Sequence, residues 1–282
     1  MILKLFLGTF SKGVLFEKGL NEFMSKIIQI MHPYDYTRKK GNIAWNCGGH
    51  KRKLIKNEIS YINDGVLYNN KRCYFWGEWE PESECKKENG YFVHKINYPS
   101  NIICKTTESC QGGCNGLNKP LNTDPYVSGD YFIYSNCLQK RYTALRQLKK
   151  DDIIIFGSRY GGKFVLDTLF VVDKEMKPDE MFSDCFEKAT YRFIKTDNFK
   201  IYKAKMYNPK NPNDIYSFFP CYNEPFERPV VDLKHIRNIK QGVCYLHNQE
   251  PNLESQDVWK DIVNIIIKSG FNLGVYAKEP ME

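Results

Sequence analysis

The segment Leu148-Lys149-Lys150-Asp151-Asp152-Ile153-Ile154-Ile155-Phe156-Gly157-Ser158, followed by Arg159-Tyr160 and then Gly161-Gly162, decides the fold. The charged Lys149–Asp152 run turns the chain, and the apolar run after it has the length and β-branched content of a strand. Gly161-Gly162 closes a hairpin with Lys163 to Asp173. Just upstream, Leu138, Tyr142, Leu145 and Leu148 fall at the spacing of a short amphipathic helix.

Downstream, Met181, Phe182, Cys185, Phe186 and Ala189 predict a helix, and strands are expected at 199–207, 214–220 and 229–233. Val258, Trp259, Ile262, Val263 and Ile266 mark a C-terminal helix stopped at Gly270, and residues 271–277 return as a strand. Upstream, residues 97–130 read as a loop, with Pro99, Gly112-Gly113, Gly116, Pro120, Pro125 and Gly129; such a long loop is functional or mobile. Cys73 to Glu80 is a β-rich run ended by Pro81, and Asn63-Asp64-Gly65 before it is a turn. Another strand ends at Asn46. Phe16, Leu20, Phe23, Met24, Ile27 and Met31 predict a helix stopped by Pro33, and residues 1–8 alternate weakly as a strand. There is no repeat and no low-complexity linker. The expectation is one α+β domain over 1–282, with a mixed, mostly antiparallel sheet, flanking helices and a loop-rich insertion around 97–130.

Composition is that of a folded chain: 42% hydrophobic, 26% charged and 15% aromatic residues, which excludes disorder and favours β-structure and stacking surfaces. The net charge of +8 fits an anionic partner, chiefly phosphate. It fits equally a lysine-rich surface of the kind an AT-rich genome encodes. The apolar start, Met1 to Leu7, is interrupted by Lys4 and too short for a signal core. No run approaches membrane-spanning length. The ten cysteines are irregularly spaced, so a reducing cytoplasm with buried thiols is expected. Cys104, Cys110 and Cys114 with His94 lack a Cys-x2-Cys knuckle, so neither metal nor cofactor is expected. The Pro-Cys-x-x-Cys element of zinc deaminases is missing as well.

Two constellations carry the functional reading. In Trp76-Gly77-Glu78-Trp79-Glu80, strand alternation puts Trp76, Glu78 and Glu80 on one face and Gly77 and Trp79 on the other. A Trp can stack on a base, a carboxylate can accept from an exocyclic amine, and Gly77 lets a planar ligand approach. The alternative is a core Trp pair with solvated acids. The second constellation lies between Thr37 and Asn57, where seven Lys or Arg occur and no acid. There Asn46, Gly48, Gly49, His50, Lys51, Arg52 and Lys53 form a phosphate candidate, because successive glycines free backbone N–H groups and the cations add charge. An ordinary solvated turn is the alternative. Asn122, Asp124, Tyr126, Ser158 and Asp167 are candidate polar ligands of a pocket; Asp167 sits in an apolar strand and needs a partner if it faces inward. Arg228, between Pro225 and Pro229, reaches either a phosphate or a structural ion pair.

The helix, charged turn, strand and glycine hairpin of residues 138–173 resemble the core of the PUA-like superfamily, which includes the EVE, YTH and ASCH families. Trp76 to Glu80, Asn122-Thr123-Asp124-Pro125-Tyr126 and Phe156-Gly157-Ser158 are together similar to the nucleotide-modification-associated domains of bacterial and phage genomes. The resemblance implies a small β-barrel. It also implies binding of RNA or modified DNA, in several relatives by holding an extruded base in an aromatic pocket; the matching segment here lacks a full aromatic cage. The leading expectation is a module that binds nucleic acid, including modified bases. The first alternative is a pocket that senses or sequesters a small cyclic or oligomeric nucleotide signal in phage–bacterium conflict. The second is an enzyme acting on nucleotides or modified bases, with Glu78, Glu80 or Asp167 as acid and base and His50 assisting.

Overall fold

The computed structural model describes residues 25–32, 52–100, 103–104, 119–135, 142–177, 180, 182–194, 200–239, 242–250 and 252–282. In chain order the strands are β1 (Ile27–His32), β2 (Arg52–Asn63), β3 (Val66–Glu78), β4 (Ser83–Glu88), β5 (Tyr91–Ile96), β6 (Ile103–Cys104) and β7 (Lys119–Pro120). There follow β8 (Ile133–Tyr134), β9 (Ile153–Tyr160), β10 (Lys163–Met176), β11 (Ile201–Ala204), β12 (Phe219–Tyr222), β13 (Gly242–Tyr245) and β14 (Asn272–Ala277). The described helices are α1 (Asp184–Ile194) and α2 (Ser255–Lys268). The protein is α+β and mostly sheet, as expected.

The first sheet runs β13-β1-β9-β10-β11-β8 and is antiparallel except between β1 and β9. Both its faces are covered. Ile154, Phe156, Phe170 and Val172 pack into one hydrophobic cluster with Phe186 of α1, while Ile153, Ile155, Leu169 and Val171 pack into another with Val258, Ile262 and Ile266 of α2. A strand buried on both sides needs no polar alternation, which is why β9 reads as an unbroken apolar run. The second sheet runs β14-β12-β3-β2-β5-β4. Pairing of β14 with β2 as well closes β2, β3, β12 and β14 into a ring, so this sheet curls.

Turn chemistry behaves as read. Asp64 and Gly65 (φ 48° and 74°) turn β2 into β3, and Gly161 and Gly162 (57° and 84°) turn β9 into β10. After α2, Gly270 (φ 83°) lets the Gly270 and Phe271 N–H groups reach back to the carbonyls of Ile267 and Ile266, the paired bonds of a Schellman ending.

Three expectations are corrected. Ile27 and Met31 belong to β1, not a helix: Ile28 and Ile30 face one cluster and Ile27 and Met31 the other, so a spacing of four was also a strand spacing. Buried Gln29 on this strand exchanges two hydrogen bonds with the backbone of Arg237. Before β9, the part of the expected 138–148 helix among the described residues is only a 3-10 turn, Thr143–Arg146, with Leu145 buried; residues 138–141 lie outside the described residues. Residues 229–233 form no strand, only a bridge from Val230 to Val165, because Pro229 interrupts them. Residues 121–128, part of the expected loop, form no named strand or helix, yet all are buried. The strands expected at 1–8 and up to Asn46, and residues 16–24, lie outside the described residues.

Candidate functional site

Arg52 and Glu78 are register partners at the ends of β2 and β3, and their side chains form an ion pair through Nη1 and Oε2. Arg52 Nε also donates to Asp167 Oδ2 at 3.0 Å. Arg228 Nη1 donates to Asp167 Oδ1 at 2.9 Å and to Ser158 Oγ at 2.8 Å. All five side chains are buried. His32, the last residue of β1, is the register partner of Ser158, and its Nδ1 lies 4.0 Å from Glu78 Oε2.

Local sequence explains how these groups are aimed. The β9–β10 register shifts between Leu166 and Thr168, leaving Asp167 as the extra residue of a bulge, and bulges redirect side chains. Across from Leu166 is Gly157, where an added Cβ would come to 2.3 Å from both Phe164 Cζ and the Val165 carbonyl. The segment just after Arg228 is held along β10 by two bonds, from Leu166 N–H to the Pro229 carbonyl and from Val231 N–H to the Phe164 carbonyl. The Arg228 guanidinium lies 5.5 Å from the centre of the Trp76 ring, within cation–π range.

Taking charges out of water costs several kcal/mol per ion unless they are paired. Here Arg52 and Arg228 face Glu78 and Asp167. Burial opposes the charge on Arg52, but the pull of Glu78 and Asp167 outweighs it and holds the guanidinium above its ordinary pKa. Asp124 sits close enough to feel both Glu78 and Arg52. Burial pushes its carboxyl well above the usual range, and the Glu78 charge adds to this, against the hydrogen bond from Ser135 N–H to Oδ1 at 2.9 Å. The arrangement therefore offers donors and acceptors within one buried cluster. Arg52 Nη2 has no hydrogen-bond partner among the described residues.

The other expected site residues are distributed around this centre. Trp76 is buried, with its indole N–H on the Phe226 carbonyl at 2.8 Å. Trp79, on the opposite face, is buried against Tyr126 and donates to the Glu82 carbonyl at 3.3 Å. The two indoles belong to separate hydrophobic clusters, and the space beside Gly77 is filled by the Phe75 ring, 2.8 Å from where a Cβ would stand. Glu80 ties down the buried 121–128 segment: its Oε2 accepts from Asn122 N–H at 2.5 Å, and its N–H donates to Thr123 Oγ1 at 3.1 Å. The Tyr126 hydroxyl donates to Glu279 Oε1 at 2.7 Å. Lys53 points away from Arg52 and donates to the Trp79 carbonyl. Arg52 and Lys53 are both buried, 3% and 5% exposed, and so are not a solvated continuation of the basic run. Asn46, Gly48, Gly49, His50 and Lys51 lie outside the described residues.

Sequence reasoning missed His32 and Ser135. His32 was hidden by reading β1 as the end of a helix, and Ser135 carries no local signal. His94, considered beside Cys104, Cys110 and Cys114, shares a hydrogen bond with Ser83 Oγ at 2.9 Å; Cys110 and Cys114 lie outside the described residues. No helix among the described residues is long and apolar enough to cross a membrane. Compared with protein-family models, with curated proteins and with solved structures, the chain matches none.

Proposed function

We propose that the chain binds nucleic acid on a PUA-like barrel and reads a base, including a modified one, at the Arg52–Glu78–Asp167–Arg228 cluster. One observation carries this reading. Buried polar side chains from the ends of β1, β2 and β3, the bulge of β10, β9, and the segments at Asp124 and Arg228 converge on one place. Convergent polar groups beside apolar walls characterise small-ligand sites. A heterocycle presents both donors and acceptors on its edge, which is what two guanidiniums and two carboxylates match. The cluster begins where the basic stretch of residues 37–51 ends, and those cations are the phosphate contacts of the proposal. With the indole faces of Trp76 and Trp79 buried, Trp76 serves to back Arg228 rather than to stack the ligand.

The test is a titration of plain and base-modified oligonucleotides, and of small nucleotides, into the protein at two salt concentrations. Saturable oligonucleotide binding that weakens with salt, and weakens further in Glu78→Gln, supports the proposal. Binding of a small nucleotide with no affinity for polymer would replace it with a nucleotide-sensing pocket.

A second reading, acid–base chemistry on the bound base, is favoured by Asp124, whose carboxyl burial pushes well above the usual carboxylate range beside ion-paired Glu78. Carboxyls with environments that separate their ionisation are the usual acid and base. Turnover of a modified nucleotide, lost in Asp124→Asn with binding retained, is its signature.

A further inference from the structure

The face of β2 and β3 that carries Arg52 and Glu78 continues as Leu54 with Trp76, Lys56 with Tyr74, and Glu58 with Arg72, each pair in register. Side chains two residues apart share a face, so these six residues carry the row about 20 Å from the buried cluster. At its far end a cavity of about 650 Å³ lies between this face, strands β4 and β5, and residues 278–282. Register places Val93 beside Leu54 and Lys86 beside Val93, so Lys95 and Lys86 project from the same face as Lys56 and Arg72.

The ionic pairing inside the cavity is uneven. Its carboxylates are all engaged: Glu58 with Lys278 at 2.9 Å, Glu88 with Lys56 at 2.8 Å, and Glu84 with Lys86 at 3.8 Å. Glu279 accepts from Tyr126 at 2.7 Å and from Ser183 at 2.5 Å, and Glu282 meets Lys188, which lies outside the cavity, at 3.7 Å. Arg72 and Lys95 line the same cavity, are exposed, and make no ion pair or side-chain hydrogen bond among the described residues. Two cations without partners among the described residues, in a cavity whose acids are each engaged elsewhere, are available to an anion from solution. The planar fork of Arg72 suits a phosphate, which it can hold bidentately.

We propose that this cavity is a second anion subsite in which Arg72 and Lys95 hold a backbone phosphodiester of the strand whose base enters the Arg52 cluster. The identity of the ligand as nucleic acid rests on the function proposed above; the anion chemistry does not. Both side chains are exposed, so removing their charge leaves the fold intact, which a thermal melt verifies.

The test compares the full chain with the Arg72→Gln/Lys95→Gln double variant. Each is titrated with a labelled single-stranded oligonucleotide over a range of salt, and the wild-type chain is titrated separately with inorganic phosphate and with oligonucleotide while its Arg72 Nε–H resonance is followed. The proposal expects about a tenfold weaker oligonucleotide complex in the variant. It also expects a salt slope shallower by about 1.4, two contacts at ~0.7 each, and an Arg72 resonance that moves with phosphate and with oligonucleotide. Oligonucleotide binding with an unchanged slope in the double variant overturns the subsite and leaves the proposed function standing. Phosphate moving Arg72 with no oligonucleotide binding to the wild-type chain overturns the phosphodiester assignment together with the nucleic-acid reading. An Arg72 resonance that neither probe moves overturns the subsite outright.

Discussion

Replacing Arg52 by methionine removes the side chain that bonds both Glu78 and Asp167. Asp167 keeps Arg228 at 2.9 Å. Glu78, 3% exposed at its side chain, loses the guanidinium it is paired with, and His32 Nδ1 lies 4.0 Å away. Breaking a buried pair by removing one partner costs about 3–5 kcal/mol. For 282 residues, an unfolding entropy near 2.1 cal/mol/K per residue sums to about 590 cal/mol/K, so each kcal/mol moves Tm by about 1.7 °C. Differential scanning calorimetry should therefore find the variant about 5–8 °C less stable. The diagnostic step is the second substitution. Arg52→Met/Glu78→Met replaces the pair by apolar side chains and should recover at least half of the loss, because the penalty lies in a dehydrated carboxylate that has lost its guanidinium. A drop below about 1 °C, or a double variant no more stable than the single one, would refute the view that this pair is a dehydrated, mutually dependent unit.

Two further outcomes follow from the same geometry. An unfolded Asp ionises near 3.9, and the buried Asp124 carboxyl ionises well above that. The folded chain therefore holds a proton that the unfolded chain has released. The stability this contributes is complete below the unfolded value and is lost as pH rises through the folded one, by about 1.4 kcal/mol per pH unit in between. Asp124→Asn, which can still accept from Ser135 N–H, should flatten that decline in a series of urea melts across pH; an unaltered profile would place the proton elsewhere. Gly157→Ala would drive a methyl into the Phe164 ring and the Val165 carbonyl, costing about 1–3 kcal/mol, or roughly 2–5 °C in Tm at the conversion above. A neutral substitution would mean that β9 and β10 separate locally at little cost.

Much of the fold was legible because its signals are local. The Asp64-Gly65 and Gly161-Gly162 turns, the Gly270 stop and the apolar stripe of α2 each follow from the residue type at that position. β1 was illegible for the opposite reason. A strand sandwiched between β13 and β9 and buried on both faces shows no alternation, and four apolar positions in a six-residue strand fit either period. The acids and Arg228 were singled out because charge within apolar or proline-framed sequence demands a partner. The pairing of Arg52 with Asp167, 115 positions apart, depends on the bulge in β10, which no single residue announces. Arg52 itself looked like one more surface cation of a basic run. Only the position of β2 beside β3 turns it inward.

On the proposed function, the Arg52–Glu78–Asp167–Arg228 cluster takes a ligand rather than only bracing the two sheets. This is tested most directly by following the Nε–H resonances of Arg52 and Arg228 in the full chain as a base-modified oligonucleotide is added. Buried, hydrogen-bonded guanidiniums exchange slowly enough to be observed individually. Both resonances should shift saturably, with the same dissociation constant as the oligonucleotide itself. Oligonucleotide binding that leaves both resonances unmoved would contradict the proposed function and make the cluster a structural ion network.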